Sequence, residues 1–245
     1  VMVKDGDVIK WQYTCQLGAD IGDTDWQGSS NSSPSKNNNN KDENKEETKK
    51  EDTEVQEKPA FTETTFADIK KDDWHYESVK YVYENNLMEG TGNGFEPESK
   101  MTRAMLVTVL YRMANPEEKA NNYNFADVPE GQWYSDAVAW AAENDIVSGV
   151  SENKFAPNED ITREQLALII YRYAKIQEFD VTETSNLEGF NDAKDVSDWA
   201  LDAIKWANSV TLVNGTSETT LSPKDTATRA QVAAILMRFC ENIAK

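Results

Sequence analysis

The stretch Ile161-Thr162-Arg163-Glu164-Gln165-Leu166-Ala167-Leu168-Ile169-Ile170-Tyr171-Arg172-Tyr173 decides the fold. Thr162 with Gln165 three residues later has the spacing of a capping box, which starts a helix by satisfying its orphan N–H groups. Leu166, Ile169, Ile170 and Tyr173 then fall at i, i+3, i+4 and i+7, one apolar face of that helix. The pattern occurs twice more. Thr102-Arg103 leads into Leu106, Val109, Leu110 and Met113, and Thr228-Arg229 leads into Val232, Ile235, Leu236 and Phe239. The third copy has Gln231 for its box. The first has Met105 there, so it keeps the cap and loses the box.

Working outward, each of these helices is preceded by the same landmarks in the same order. They are Phe66-Ala67-Asp68, Trp74, Gly90 and Pro97 in the first copy, and Phe125-Ala126-Asp127, Trp133, Gly149 and Pro157 in the second. In the third they are Phe190-Asn191-Asp192, Trp199, Gly215 and Pro223. After Trp133-Tyr134, the residues Ala137, Val138, Trp140 and Ala141 have helical spacing. That first helix is expected to stop near Gly149, since glycine is a common C-terminal signal. Each unit of about sixty residues therefore reads helix, loop, helix, and such periods mark repeat architectures. Three equivalent amphipathic helices bury their faces most simply against each other. The expected fold is mainly α, with pseudo-threefold symmetry around a central three-helix bundle. The expected segments are a first repeat at 61–121, a second at 122–184 and a third at 185–245.

Before the repeats, residues 1–22 read as a β stub, with Val8 to Tyr13 as a strand. One strand does not fold alone, so this is expected to be the end of an upstream domain. Residues 23–60 have almost no apolar side chain to bury and read as a disordered polar linker. Val1 is not a plausible start, so the chain reads as the C-terminal part of a longer one.

Composition excludes several functions. The 245 residues carry a formal net charge of -19, against general nucleic-acid binding and a polybasic membrane anchor. No apolar run reaches the roughly 18 to 20 residues of a membrane span. Cys15 and Cys240 lie at opposite ends and make neither a disulfide framework nor a zinc spacing. His75 is the one histidine and sits at a helix start. No catalytic residue, metal ligand or cofactor is expected.

Most of the repeated letters follow from helix chemistry, but one does not. Arg103, Arg163 and Arg229 take the first helical position, where a cation faces the positive end of the dipole at a cost of a few tenths to about 1 kcal/mol. Arg112, Arg172 and Arg238 lie nine residues on, where the dipole favours them. Two explanations for the first set stand open. One is a buried bond to a neighbouring repeat, with Asp68, Asp127 or Asp192 as partner. The other is an anionic ligand held by guanidinium and helix N-terminus together.

These blocks resemble the S-layer homology domain family in its usual set of three. The resemblance rests on Phe-x-Asp, the Trp-rich first helix, the glycine turn, the Phe/Leu-x-Pro step and the Thr-Arg-Ala/Glu-Gln motif, and covers about three-quarters of the chain. It implies a secreted protein at the cell surface, anchored non-covalently to a Gram-positive-type wall through a secondary wall polysaccharide, often ending in pyruvylated N-acetylmannosamine. The ketal carboxylate suits the anion reading of Arg103, Arg163 and Arg229. Carried over by position, Gly90, Gly149 and Gly215 stand at groove edges, although they also read as helix C-caps. Trp74, Trp133 and Trp199 would stack on sugar rings or pack in the core. Asp68, Asp127 and Asp192 would orient an arginine or cap the first helix. Met105 departs from the family's Glu or Gln and weakens one groove. The alternative is a protein–protein assembly module that self-associates in a surface layer without binding glycan. The stub weakly resembles the end of a transcobalamin-like C-terminal domain.

Overall fold

The computed structural model describes residues 60–118, 120 and 125–244. The stub at 1–22, the linker up to residue 59 and Cys15 lie outside them. Six α-helices follow in order: α1 (Tyr76–Glu84), α2 (Arg103–Ala114), α3 (Ser135–Glu143), α4 (Arg163–Ile176), α5 (Leu201–Ser209) and α6 (Arg229–Asn242). Two 3-10 turns, Ala193–Asp195 and Asp198–Ala200, precede α5.

The long helices start where the sequence places them. The Thr162 and Thr228 side chains accept from the N–H groups of Gln165 and Gln231, with full capping boxes. Thr102 accepts from the N–H of Met105 with no return bond. The short helices end earlier than expected. They stop at Glu84, Glu143 and Ser209, and the left-handed residues that turn the chain are Asn86, Asp145 and Thr211. Gly90, Gly149 and Gly215 are therefore not helix caps. An added Cβ at each would lie 2.7 Å from a carbonyl oxygen of its own loop, that of Gly94, Lys154 or Thr220. They are glycines because the loop folds back over them.

Packing runs between repeats in a cycle. The first helix of each repeat lies against the second helix of the repeat before it: α3 on α2, α5 on α4, and α1 on α6. The third repeat thus closes on the first. Leu106, Leu110, Leu166, Ile170, Val232 and Leu236 are buried in one shared core. Tyr173 of α4 meets Phe239 of α6 with ring centroids 5.8 Å apart.

Three backbone bonds at the head of the long helices form a closed ring. Met101 N–H donates to Ala227 (3.0 Å), Ala227 N–H to Ile161 (2.9 Å) and Ile161 N–H to Met101 (2.9 Å). All three residues are fully buried. One interaction breaks the symmetry. Glu164, where the other copies have Ala104 and Ala230, is buried and accepts from Ser197 N–H (3.0 Å), Ser197 Oγ (3.1 Å) and Lys224 Nζ (2.6 Å). It ties the second repeat to the third.

A repeat in such a cycle has no core of its own, because its helices bury themselves on its neighbours. The full chain is therefore predicted to unfold in one cooperative transition in urea, with circular dichroism and tryptophan fluorescence coinciding. Residues 122–184 alone are predicted to show no stable helix. Separate transitions, or a folded isolated repeat, would contradict the cyclic arrangement.

Candidate functional site

Each long helix begins against the loop of the next repeat. At α4, Arg163 N–H donates to the Asp225 carbonyl (2.9 Å) and Glu164 N–H to that of Pro223 (3.0 Å). At α2 the acceptors are Glu159 and Pro157, and at α6 they are Ser99 and Pro97. The third N–H of each helix goes to its capping threonine. These N-termini are thus filled by the protein's own oxygens, which removes the ordinary basis for anion binding at a helix start.

The motif arginines extend the same contact. Arg163 donates from Nε to the Leu221 carbonyl (3.0 Å) and from Nη2 to that of Asn214 (2.5 Å). Arg103 reaches Phe155 (2.9 Å) and Ser148 (3.2 Å). Arg229 reaches Phe95 (2.8 Å) and Glu89 (2.6 Å), closing the cycle. Arg103 and Arg229 also lie over the Phe155 and Phe95 rings, 4.6 and 4.8 Å from the centroids; Leu221 offers Arg163 no ring. The three residues are 4, 5 and 7% exposed. The misfit with the dipole is resolved by geometry, since the long side chain carries its charge to carbonyl oxygens of the next repeat. Burial pushes all three guanidiniums below the ordinary arginine value. Glu159 and Asp127 oppose this at Arg103, Asp225 and Asp192 at Arg163, and Glu96 and Asp68 at Arg229.

The aspartates neither bond the arginines nor cap a helix. The N-caps of the short helices are His75, Tyr134 and Ala200. Instead each carboxylate grips two successive N–H groups of its own loop. Asp68 takes Phe95 (2.9 Å) and Glu96 (2.6 Å), and Asp127 takes Phe155 and Ala156 (both 2.8 Å). Asp192 takes Leu221 (2.8 Å) and Ser222 (2.7 Å). The second residue of each pair has positive φ, at 56°, 61° and 54°, which is costly for a residue with a side chain. The bidentate grip holds that turn, and the turn presents the carbonyl that receives the arginine. At Asp192 burial pushes the carboxyl up. The bonds from Leu221 and Ser222 and the charge of Arg163 outweigh it and hold the group below the usual carboxylate value. Its stabilising effect is present above the unfolded pKa of about 3.9 and is lost as pH falls through the lower folded value.

Between repeats lies a groove. Over Arg103 it is a cavity of about 400 Å³ lined by Ser148, Gly149, Gln165, Arg172 and Trp199, among others. Over Arg163 a second, of about 260 Å³, is lined by Lys100, Thr216 and Gln231, among others. Trp74, Trp133 and Trp199 are 64, 51 and 52% exposed. The core reading of these residues is therefore wrong. Each stands just ahead of its helix, outside the packed face, and among the described residues the buried tryptophans are Trp140 and Trp206. Gly149 lies at the groove edge. The sequence reading missed Arg172, whose place near a helix C-terminus looked sufficient. It is only partly buried, lines the groove and donates from Nη1 to Ser148 Oγ (3.1 Å). Its recurrence as Arg112 and Arg238 was the available signal. His75 is buried beside Trp74, with neither ring nitrogen hydrogen-bonded. Among the described residues no cluster of His, Cys, Asp or Glu could hold a metal ion, and no helix is long and apolar enough to cross a membrane.

The two arginine sets are predicted to separate by stability. Arg163→Ala leaves two carbonyls without their charged donor and should cost about 3 kcal/mol. Arg172→Ala, at the groove surface, should cost under about 1 kcal/mol. Urea titrations followed by circular dichroism measure both; equal effects would contradict the assignment.

The model of the S-layer homology domain matches at 65–104, 124–167 and 189–233, more than half of the chain. The chain is 34% identical over 178 residues to an exoglucanase, XynX, of Acetivibrio thermocellus, covering 72% of this chain and 16% of that protein. It is 33% identical over 178 residues to an amylopullulanase of Thermoanaerobacterium thermosulfurigenes, covering 72 and 10%. A surface-layer 125 kDa protein of Lysinibacillus sphaericus is 32% identical over 171 residues, covering 68 and 14%. The chain thus spans less than a fifth of the length of these relatives.

Proposed function

The chain belongs to the S-layer homology domain family, and we propose that it anchors a secreted protein to the cell wall by taking anionic groups of a secondary wall polysaccharide into the grooves between repeats. The observation that carries this is the groove in which Arg172, above the buried Arg103, shares one cavity with the exposed Trp199. A guanidinium fork suits a carboxylate, and an exposed indole suits the apolar face of a sugar ring. A pyruvate ketal on N-acetylmannosamine offers both features in one residue. Arg103, Arg163 and Arg229 form the groove floors, and Gly90, Gly149 and Gly215 keep the edges open.

The relatives differ in what they are named for. Two are named for enzymes and one for a surface layer, and this chain covers only a small part of each. Their catalytic names belong to their own full lengths. At a net charge of -19, long-range attraction to an anionic polymer is absent. Binding depends on cations within about one Debye length, roughly 8 Å at physiological salt. Several grooves on one rigid ring then add avidity.

The chain is predicted to co-sediment with polymer-bearing walls and to stay in solution with walls stripped of polymer. Arg172→Ala and Trp199→Ala should each weaken sedimentation about tenfold while the helical signal is unchanged. Retained binding to stripped walls would overturn the glycan reading. Light scattering with and without polymer tests the assembly reading, which predicts growth of the particle without polymer.

A further inference from the structure

The threefold cycle lets the grooves be compared position by position, and the arginine bonds fix the register. Ser148, Asn214 and Glu89 each give a carbonyl to the buried arginine of the preceding repeat. They are therefore one position in three grooves, each just ahead of the edge glycine. In the first groove this residue also faces the binding space, since Ser148 lines the cavity and its hydroxyl accepts from Arg172. Two copies place a neutral side chain there. The third places a carboxylate, on the same repeat as Arg112.

Two further positions point the same way. Gln165 lines the first groove and Gln231 the second. Each gives its carbonyl oxygen to the helix cap, leaving the amide NH2 as a donor. Met105 takes that place in the third groove and donates nothing. At the positive-φ turn, Ala156 and Ser222 are replaced by Glu96, the first acid to act on Arg229. Every arginine also feels the aspartate that grips its loop, Asp127, Asp192 or Asp68, and the first two grooves add one further acid, Glu159 or Asp225, where the third has Ser99. Beyond the aspartate common to all three, the third groove thus has two carboxylates, Glu89 and Glu96, against one in each of the others, and it lacks their amide donor.

We propose that the chain has two grooves that take an anionic sugar and a third, over Arg229, that refuses one, with Glu89 and Met105 as the residues that set the difference. This rests on the anion reading of the grooves. A carboxylate beside the site repels an anionic ligand at short range, and the missing amide removes a hydrogen bond to the sugar. Together they should weaken the third groove by about a hundredfold. The anchor then grips polymer on two sides of its ring and leaves the third free of anionic glycan.

Calorimetric titration of the full chain with the methyl glycoside of pyruvylated N-acetylmannosamine tests this. Two molecules should bind per chain, and three to the E89S/M105Q variant. Three equivalent sites in the unaltered chain, or two in a folded E89S/M105Q variant, would overturn the proposal. In the converse variant S148E/Q165M the number should fall to one; this arm decides the matter if the first variant fails to fold, and an unchanged number there would also overturn the proposal. Absence of any binding to the unaltered chain would overturn the anion reading itself, and is distinguishable from a wrong count.

Discussion

The structure depends on how the first N–H groups of three helices are satisfied. A helix start leaves donors without intrahelical partners, and most proteins answer with a side-chain cap and water. Here the threonine cap takes only the third N–H. The first two go to carbonyl groups of the neighbouring repeat, at distances of 2.8 to 3.0 Å. The arginine at the first position then forks onto two more carbonyls of the same neighbour. Because the third repeat uses the loop of the first, the contacts form a circle. A buried carbonyl left without its donor would be costly, so no repeat can leave the circle cheaply.

That constraint explains the repeated letters as a chain of cause. The aspartate of the Phe-x-Asp motif holds two N–H groups, which fixes a turn of positive φ. The turn aims a carbonyl outward, and the arginine of the previous repeat receives it. The glycine is small because the loop folds back over it. These residues surround a groove that the packing must leave between repeats, and the groove inherits an arginine floor. The proposed function and stability therefore meet at Arg103, Arg163 and Arg229, whereas Arg172 and Trp199 stand at the surface, where they can change without unlocking the ring.

The sequence was legible where local chemistry decides. Thr162 with Gln165, and Thr228 with Gln231, announced their capping boxes, and the absence of one at Met105 was also correct. The apolar stripes located the core. What could not be read was whatever depends on the neighbouring repeat. The arginines looked misplaced because their partners lie 45 to 140 residues away. The tryptophans stayed open between core packing and sugar stacking because an aromatic ring suits either, and only the fold exposes them, Trp74 at 64%. Gly149 looked like a helix cap because Asp145 does not advertise a left-handed conformation. Arg172 was passed over because its position already had a sufficient local reason.

The central claim is that three repeats form one ring closed by backbone bonds. Native-state amide hydrogen exchange measures it most directly, since it reports the free energy of opening at each N–H. The amides of Met101, Ile161 and Ala227, with those of Arg103, Arg163 and Arg229, should all exchange with one free energy, equal to that of global unfolding. Faster exchange at Ala227 and Arg229 alone, as the third repeat opens while the first two stay protected, would contradict it.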